Sequence, residues 1–298
     1  MSVKINLPNE YYVVRLNVSE PVYALGGVET IALRSSNVKD KWILSATEWK
    51  WPTILIGYLE KPTLVGKQEF LRRITGGTIF DPREYYDPYY ITVIGPRVGK
   101  RPIPLTQVYR LVRTRMDSKC HHTTTILKCT TSRGDRCVAS VGKLLQRPLI
   151  EFFGDRFCIE QVLEYDIWDA SDEVLDTDLI LKNSLDRHLS EAWLRYNVNR
   201  GSHAFSRTWR DFYVEINASL EPPLITSFEL YSNIFLYPPA QARLLIDEMI
   251  GAVASRVAGF EFVNAWNGLV EYIGIEPGDL KDFILESFRE LEKLAGLE

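Results

Sequence analysis

Short apolar runs broken by glycine and proline fill the first half of the chain, and helical periodicity fills its end. That order excludes the regular βαβα alternation of a doubly wound parallel sheet and predicts an α+β protein. Residues 11–16, 42–49, 53–58, 70–75 and 89–95 read as strands, rich in β-branched and aromatic side chains. Between 121 and 167 the sequence is again mostly strand-like, punctuated by Gly134, Gly142 and Gly154. A helix is predicted over 27–36, and another over 105–116, entered through Pro102 and Pro104. Residues 186–196 suit a helix and 211–218 a strand, and Pro222-Pro223 and Pro238-Pro239 mark loops. Leu244, Leu245, Met249, Ala252 and Val253 line one face of a predicted helix over 241–258, with Gly259 as its stop. A last helix is expected from Asp279 as N-cap, with Leu280, Phe283, Ile284, Phe288, Leu291 and Leu294 as its packing stripe.

The fold class expected is therefore α+β: a mixed, largely antiparallel sheet with flanking helices and a helical C-terminal end. With 298 residues, one large or two smaller domains fit. Three parts are expected: a catalytic body over 1–175, an insertion over 176–238 and a small helical part over 239–298. Hydrophobic residues at 46% and charged residues at 25% supply an ordinary globular core.

Charge narrows the partners. The 35 Lys and Arg against 39 Asp and Glu give a formal net charge of −4, which argues against a general nucleic-acid binder. No apolar run reaches the ~18 residues of a membrane span; the greasiest stretch, 249–263, contains Arg256 and Glu261. The first six residues lack the apolar core of a secretory signal, so a cytoplasmic protein is expected. Cys120, Cys129, Cys137 and Cys158 are then expected as free thiols. Cys120-His121-His122 with Cys129 and Cys137 matches no paired zinc-ligand spacing.

The segment that carries chemistry is Phe70-Leu71-Arg72-Arg73-Ile74-Thr75-Gly76-Gly77-Thr78-Ile79-Phe80-Asp81. Neighbouring side chains on a strand point to opposite faces, so one arginine can meet a bound anion while the other pairs on the far side. The glycines admit close ligand approach, and successive backbone N–H groups can cradle a phosphate. A hairpin with surface arginines gives the same pattern.

Its context resembles the lipoate-protein ligase and octanoyltransferase branch of the biotin/lipoate protein ligase family. Gly26-Gly27-Val28-Glu29-Thr30 is similar to the family's Ala-x-Glu helix, and Trp51-Pro52-Thr53-Ile54-Leu55-Ile56-Gly57-Tyr58 to its strand ending in Ile-Gly. Arg72-Arg73-Ile74-Thr75-Gly76-Gly77 matches its Arg-Arg-x-[Ser/Thr]-Gly-Gly element, with Asp81 at the acidic position. Arg133-Gly134-Asp135 and Gly142-Lys143-Leu144 resemble the later Arg-Asn-Asp and Gly-x-Lys elements. The chain departs from the family at Thr78, where a third glycine is usual, at Gly134 for asparagine, and at Glu160-Gln161 for His-Gly.

The resemblance implies acyl transfer to a lysine of a lipoyl-type carrier domain. The expected route is an ATP-dependent ligation of lipoate, or a related small carboxylic acid, through an acyl-adenylate. Lys143 is then the catalytic cation stabilising the developing charge, and Asp135 the candidate ligand for Mg²⁺. Arg72, Arg73, Thr75, Gly76, Gly77, Thr78 and Asp81 are the candidate substrate and nucleotide contacts. Trp49, Ile56, Tyr58 and Ile79 are available for an acyl groove. Two alternatives stay open: an octanoyltransferase holding its acyl group as a thioester on Cys129, near Lys128 and Arg133, or a degenerate, non-catalytic member binding a ligand or partner. No nucleic acid and no membrane enter any of the three.

Overall fold

The structure is a computed structural model, and it describes residues 12–15, 18–34, 43–77, 79–85, 88–95, 120–123, 126–130, 136–144, 147–155, 166–168, 179–194, 201–210, 212–237 and 239–298. An eight-stranded mixed sheet forms the first body. Its strands are β1 (Tyr12–Arg15), β2 (Ile43–Glu48), β5 (Pro88–Ile94), β6 (Cys120–Thr123), β7 (Ile126–Thr130), β8 (Arg136–Leu144), β9 (Arg147–Asp155) and β10 (Asp166–Trp168). The spatial order is β10-β1-β2-β5-β9-β8-β7-β6. β1 runs parallel to β10 and β2, and the other pairings are antiparallel. The expected mixed, largely antiparallel sheet is present.

A two-stranded parallel ribbon, β3 (Ile54–Ile56) and β4 (Phe70–Arg72), pairs Ile54 with Phe70 and Ile56 with Arg72. Helix α1 (Pro21–Arg34) buries Val22, Ala24, Leu25, Val28 and Ala32 against Trp49, Leu55, Phe80, Tyr90 and Phe153. It begins six residues before the predicted start. Gly26 and Gly27 lie inside it and are buried, so packing of the apolar face overrides their poor helix propensity. Helices α2 (Leu179–Leu189) and α3 (Glu191–Leu194) follow, with α2 against α1 and α3 against β4.

The rest builds around a second core. Strands β11 (His203–Trp209), β12 (Phe212–Glu221) and β13 (Leu224–Ser232) form an antiparallel sheet in sequential order. β14 (Phe235–Tyr237) pairs with β15 (Glu271–Ile273), and helices α4 (Pro239–Glu248), α5 (Arg256–Leu269) and α6 (Pro277–Leu294) complete the unit. Phe212, Val214, Ile216 and Ala218 recur at period two on β12 and join Phe228, Leu230, Phe262, Trp266, Phe283, Ile284 and Phe288 in one cluster. Strands 203–232 and helices 239–294 thus share a core across the boundary expected at 238/239.

Where one helix was predicted over 241–258 there are two. Gly251, at φ +90°, ends the first turn region, and Ser255 caps α5 by accepting from the Ala258 N–H at 3.3 Å. Gly259, predicted as a stop, lies inside α5, because a Cβ there would meet the Phe288 Cβ at 2.6 Å. It is a close-packing residue between α5 and α6. Helix α6 starts at Pro277 with Glu276 at the cap position, and Asp279 lies in its first turn. The predicted helix over 105–116 lies outside the described residues, as do residues 157–165 of the strand-like stretch expected between 121 and 167.

Candidate functional site

The Arg-Arg-x-Thr-Gly-Gly segment leaves β4 and folds back across the end of β3. Backbone bonds hold it there: Arg73 N–H donates to the Ile56 carbonyl at 2.9 Å, and Tyr58 N–H to the Thr75 carbonyl at 2.8 Å. Gly57 lies against the turn so tightly that a Cβ on it would meet the Gly77 carbonyl oxygen at 1.9 Å. Gly77 itself adopts φ +89°, a conformation that glycine alone takes without strain. The need for glycine is therefore steric at both positions. Gly76 and Gly77 are buried, and the Gly77 N–H donates to the carbonyl of Ile234, just before β14, at 3.2 Å. The phosphate cradle expected from this amide is, in this arrangement, a tie to the second unit.

Strand alternation places the two arginines apart, as expected, yet both are fully buried. Arg72 is a clamp. Its Nη1 donates to the carbonyls of Gly57, Tyr58 and Glu60 at 3.0, 2.7 and 2.9 Å, its Nε to Trp193 at 3.0 Å and its Nη2 to Leu194 at 3.2 Å. Neutral carbonyls from two chain segments satisfy the cation.

Arg73 lies on the other side, its guanidinium 4.8 Å from the centroid of the Phe153 ring. It donates to the Gly76 carbonyl at 3.3 Å and the Ile56 carbonyl at 3.4 Å. Burial pushes its pKa down, and the Glu151 carboxylate is the strongest opposing influence. Glu151, on β9, accepts from Thr75 Oγ1 and from the Tyr90 hydroxyl at 2.8 Å. Burial raises the Glu151 pKa, with Arg73 pulling against it. Burial and the same carboxylate push the Tyr90 hydroxyl well above its ordinary value. Arg73, Thr75, Tyr90 and Glu151 thus form a buried polar cluster beneath the glycine corner.

Beside it, further contacts join the units. The Tyr213 hydroxyl donates to Glu60, whose pKa burial raises, and Lys61 pairs with Glu215, which also accepts from Asn217 Nδ2 at 2.9 Å. Tyr213, Glu215 and Asn217 come from one face of β12, opposite its core face. Ser232 N–H donates to the Leu59 carbonyl at 2.9 Å.

Asp81 is turned to a local task. Partly exposed, it caps the 3-10 turn Pro82–Glu84 and accepts from the backbone N–H and Nε of Arg83 at 3.1 and 2.7 Å. The side-chain bond from Arg83 is the main cause of its lowered pKa. The residues available for an acyl groove separate among three clusters. Trp49 packs with α1, Tyr58 with the second unit, and Ile56 and Ile79 with Ile54 and Val65. Lys143 and Cys129 lie in β8 and β7. Thr78 and Asp135 lie outside the described residues. Among the described residues, no group of three His, Cys, Asp or Glu is arranged to hold a metal ion.

A second polar cluster was missed. His188 is 1% exposed, and its Nε2 lies 2.9 Å from Glu29 Oε1. Ser184 Oγ donates to Glu29 Oε2 at 2.6 Å, and Arg187 pairs with the same carboxylate. Burial raises the Glu29 pKa, but the bond and charge of His188, with Arg187, outweigh it and leave a net lowering. Ser184, Arg187 and His188 stand at i, i+3 and i+4, one face of a helix. That spacing was the readable signal.

No family model matches the chain, and no curated protein sequence matches it. Solved structures do. LipL1 of P. falciparum, in complex with lipoate, matches at TM-score 0.61 and 9% identity, covering 93% of this chain and 99% of that one. A bipartite lipoate protein ligase with its E2 lipoyl domain, from Thermoplasma acidophilum, matches at TM-score 0.43 and 11% identity, covering 65% of this chain and 99% of that one. A lipoate-protein ligase A bound with ATP matches at TM-score 0.35 and 17% identity, over 61% of this chain and 85% of that one. The first of these shows the fold: this chain is built on the lipoate-ligase-like plan, including its C-terminal unit.

Proposed function

We propose that the chain catalyses acyl transfer to a lysine of a lipoyl-type carrier domain, as an ATP-dependent ligase of lipoate or a related small carboxylic acid. The observation that carries the reading is a convergence of elements. The Thr75-Gly76-Gly77 corner is tied to Ile234, β14 follows at once, and β14 lies against β8, the strand of Lys143. The motif and the lysine strand therefore meet at one seam of a fold shared with the lipoate-bound LipL1 structure.

In this reading Lys143 supplies the cation. Charge builds on phosphate and acyl oxygens as the carboxylate attacks the nucleotide, and a fixed cation stabilises it. ATP supplies the activating group when bound. Arg73, offset by Glu151 and stacked on Phe153, fixes the shape of the corner and adds a positive field from below. Arg72 is spent on five carbonyls and acts through position alone. Asp135 is the residue proposed to hold Mg²⁺ beside the phosphates.

One observation favours a second reading. The Gly77 N–H and the Arg72 guanidinium are both committed inside the protein, which suits a donor that brings no triphosphate. In that case an acyl thioester forms on Cys129, the carrier thiol leaves, and the recipient lysine amine then displaces Cys129. A degenerate binding role is the third outcome.

Lipoate-dependent exchange of labelled pyrophosphate into ATP, lost in Lys143→Ala, is the expected result. An acyl adduct seen by intact mass without ATP and lost in Cys129→Ala selects the thioester route. Absence of both, with retained binding to a lipoyl domain, overturns catalysis by either.

A further inference from the structure

The strand register aligns three of the four cysteines. Cys120 on β6 stands opposite Cys129 on β7, and Cys129 stands opposite Cys137 on β8. Directly opposed residues on neighbouring strands share a sheet face, so the three occupy one cross-strand row. Gly154 on β9 continues the row and ends its run of thiols. Among the described residues β6 is the edge of the sheet.

The two neighbouring spacings are unequal, and their difference is predictable. β6 and β7 pair Thr123 with Ile126, leaving a two-residue connection. The pair flanking such a connection exchanges both hydrogen bonds, and bonded and non-bonded pairs alternate from it. Counting back through 122/127 and 121/128, the 120/129 pair is a non-hydrogen-bonded one, with Cα atoms about 4.5 Å apart. The backbone groups of Cys129 then turn to β8, making 129/137 a hydrogen-bonded pair at about 5.5 Å. Both spacings lie inside the ~4.4–6.8 Å window of a disulfide, whereas 120/137, the sum of the two, lies outside it.

We infer that Cys129 is the shared centre of a reversible thiol–disulfide switch, pairing with either Cys120 or Cys137. The oxidant is a small-molecule disulfide of the glutathione class. One protein thiolate attacks it, releasing one small thiol and leaving a mixed disulfide. The neighbouring protein thiolate displaces the second small thiol. Two protein thiols lose two electrons and two protons, and one disulfide becomes two thiols. Disulfides of this kind in a reducing compartment are transient and sensing rather than structural. The inference stands on the register alone and holds whichever acyl donor the protein uses.

The test is disulfide mapping of the full folded chain after equilibration with oxidised glutathione and quenching with a thiol alkylator. Cleavage after Lys119, Lys128, Arg136 and Lys143 leaves every cysteine in its own peptide. The expected result is one intramolecular disulfide involving Cys129, with 120–129 and 129–137 together enriched about tenfold or more over 120–137 relative to the urea-denatured chain. Cys120→Ser should confine the bond to 129–137, and Cys129→Ser should abolish the row's disulfide. Three results overturn the inference: glutathionylated protein with no internal bond, a dominant 120–137 or Cys158 pairing, or the denatured distribution. Because no activity is read, loss of the proposed function leaves this test intact.

Discussion

Arg72 and Trp193 hold each other by exchange. Arg72 Nε donates to the Trp193 carbonyl at 3.0 Å, and Trp193 Nε1 donates to the Arg72 carbonyl at the same distance. A strand end in the ligase-like body is thereby fastened to α3, more than a hundred residues later. Lysine is a point charge and cannot span five carbonyls. Arg72→Lys should therefore cost about 3 kcal/mol, as buried carbonyls lose their donors. Trp193→Phe, which removes one neutral bond, should cost about 1 kcal/mol. Urea midpoints at constant slope check both; equal losses would show that the fork geometry is irrelevant.

Gly57 makes a sharper prediction. A methyl group 1.9 Å from the Gly77 oxygen cannot be relieved by a rotamer change, since both partners are backbone. Gly57→Ala should cost about 3 kcal/mol and displace the corner. Gly268, on exposed α5 surface, has nothing within 4 Å of where an added Cβ would sit. Gly268→Ala should stabilise by about 0.5–1 kcal/mol. Thermal melts of the two variants should move in opposite directions.

What is legible in the sequence depends on the range of the forces that set each feature. The strand-rich first half, the mixed sheet and the apolar stripe of α6 follow from local periodicity, and they were legible. The turn at Thr75-Gly76-Gly77 was legible as a glycine corner, but its contacts were not. The Gly77 amide is taken by Ile234, and Arg72 by Trp193 and Leu194, partners that only the three-dimensional packing brings near. Gly259 misled because a lone glycine reads the same whether it ends a helix or admits a neighbour's Phe288. His188 was hidden for a related reason: its partner, Glu29, lies on a different helix. Only the i, i+3, i+4 spacing of Ser184, Arg187 and His188 hinted at a shared target.

That Glu29 cluster gives a pH dependence with a definite sign. A carboxylate whose folded pKa is depressed adds stability above its unfolded value, about 4.3, and loses it as pH falls through the folded value. Glu29 is such a group, despite its burial, because His188 and Arg187 outweigh desolvation. Wild type should exceed Glu29→Gln in stability at pH 6 and lose that margin progressively below about pH 4.3. Chemical denaturation of both proteins between pH 3 and 6 measures the margin; a gap constant across that range would refute the linkage.

Arg73 and Glu151 should behave as a coupled pair. Each is buried, and each is the main charge offsetting the other's burial. Removing one partner strands a buried charge, so Arg73→Met or Glu151→Gln alone should cost about 3–5 kcal/mol. The double variant Arg73→Met/Glu151→Gln should cost less than the sum by about 1 kcal/mol or more. A double-mutant cycle from urea denaturation reads the coupling directly. Additive losses would mean that Tyr90 and Thr75, rather than Arg73, keep Glu151 in place.

Lys143 separates chemistry from architecture. If it supplies the cation at the seam between β8 and β14, Lys143→Ala should lower lipoate-dependent pyrophosphate exchange about 10²–10³-fold, the usual loss for one electrostatic contact made in the transition state. The fall should lie in kcat, with a smaller change in the KM for the acid, as expected of a contact made in the transition state. Lys143→Arg keeps the charge and should recover part of the rate. Arg72→Lys, by contrast, should lower stability while sparing the rate of whatever fraction stays folded, since Arg72 spends its donors on carbonyls. Active-site titration of the folded fraction distinguishes the two. Equal loss of specific rate in both variants would place Arg72 in the reaction and remove Lys143 as its particular cation.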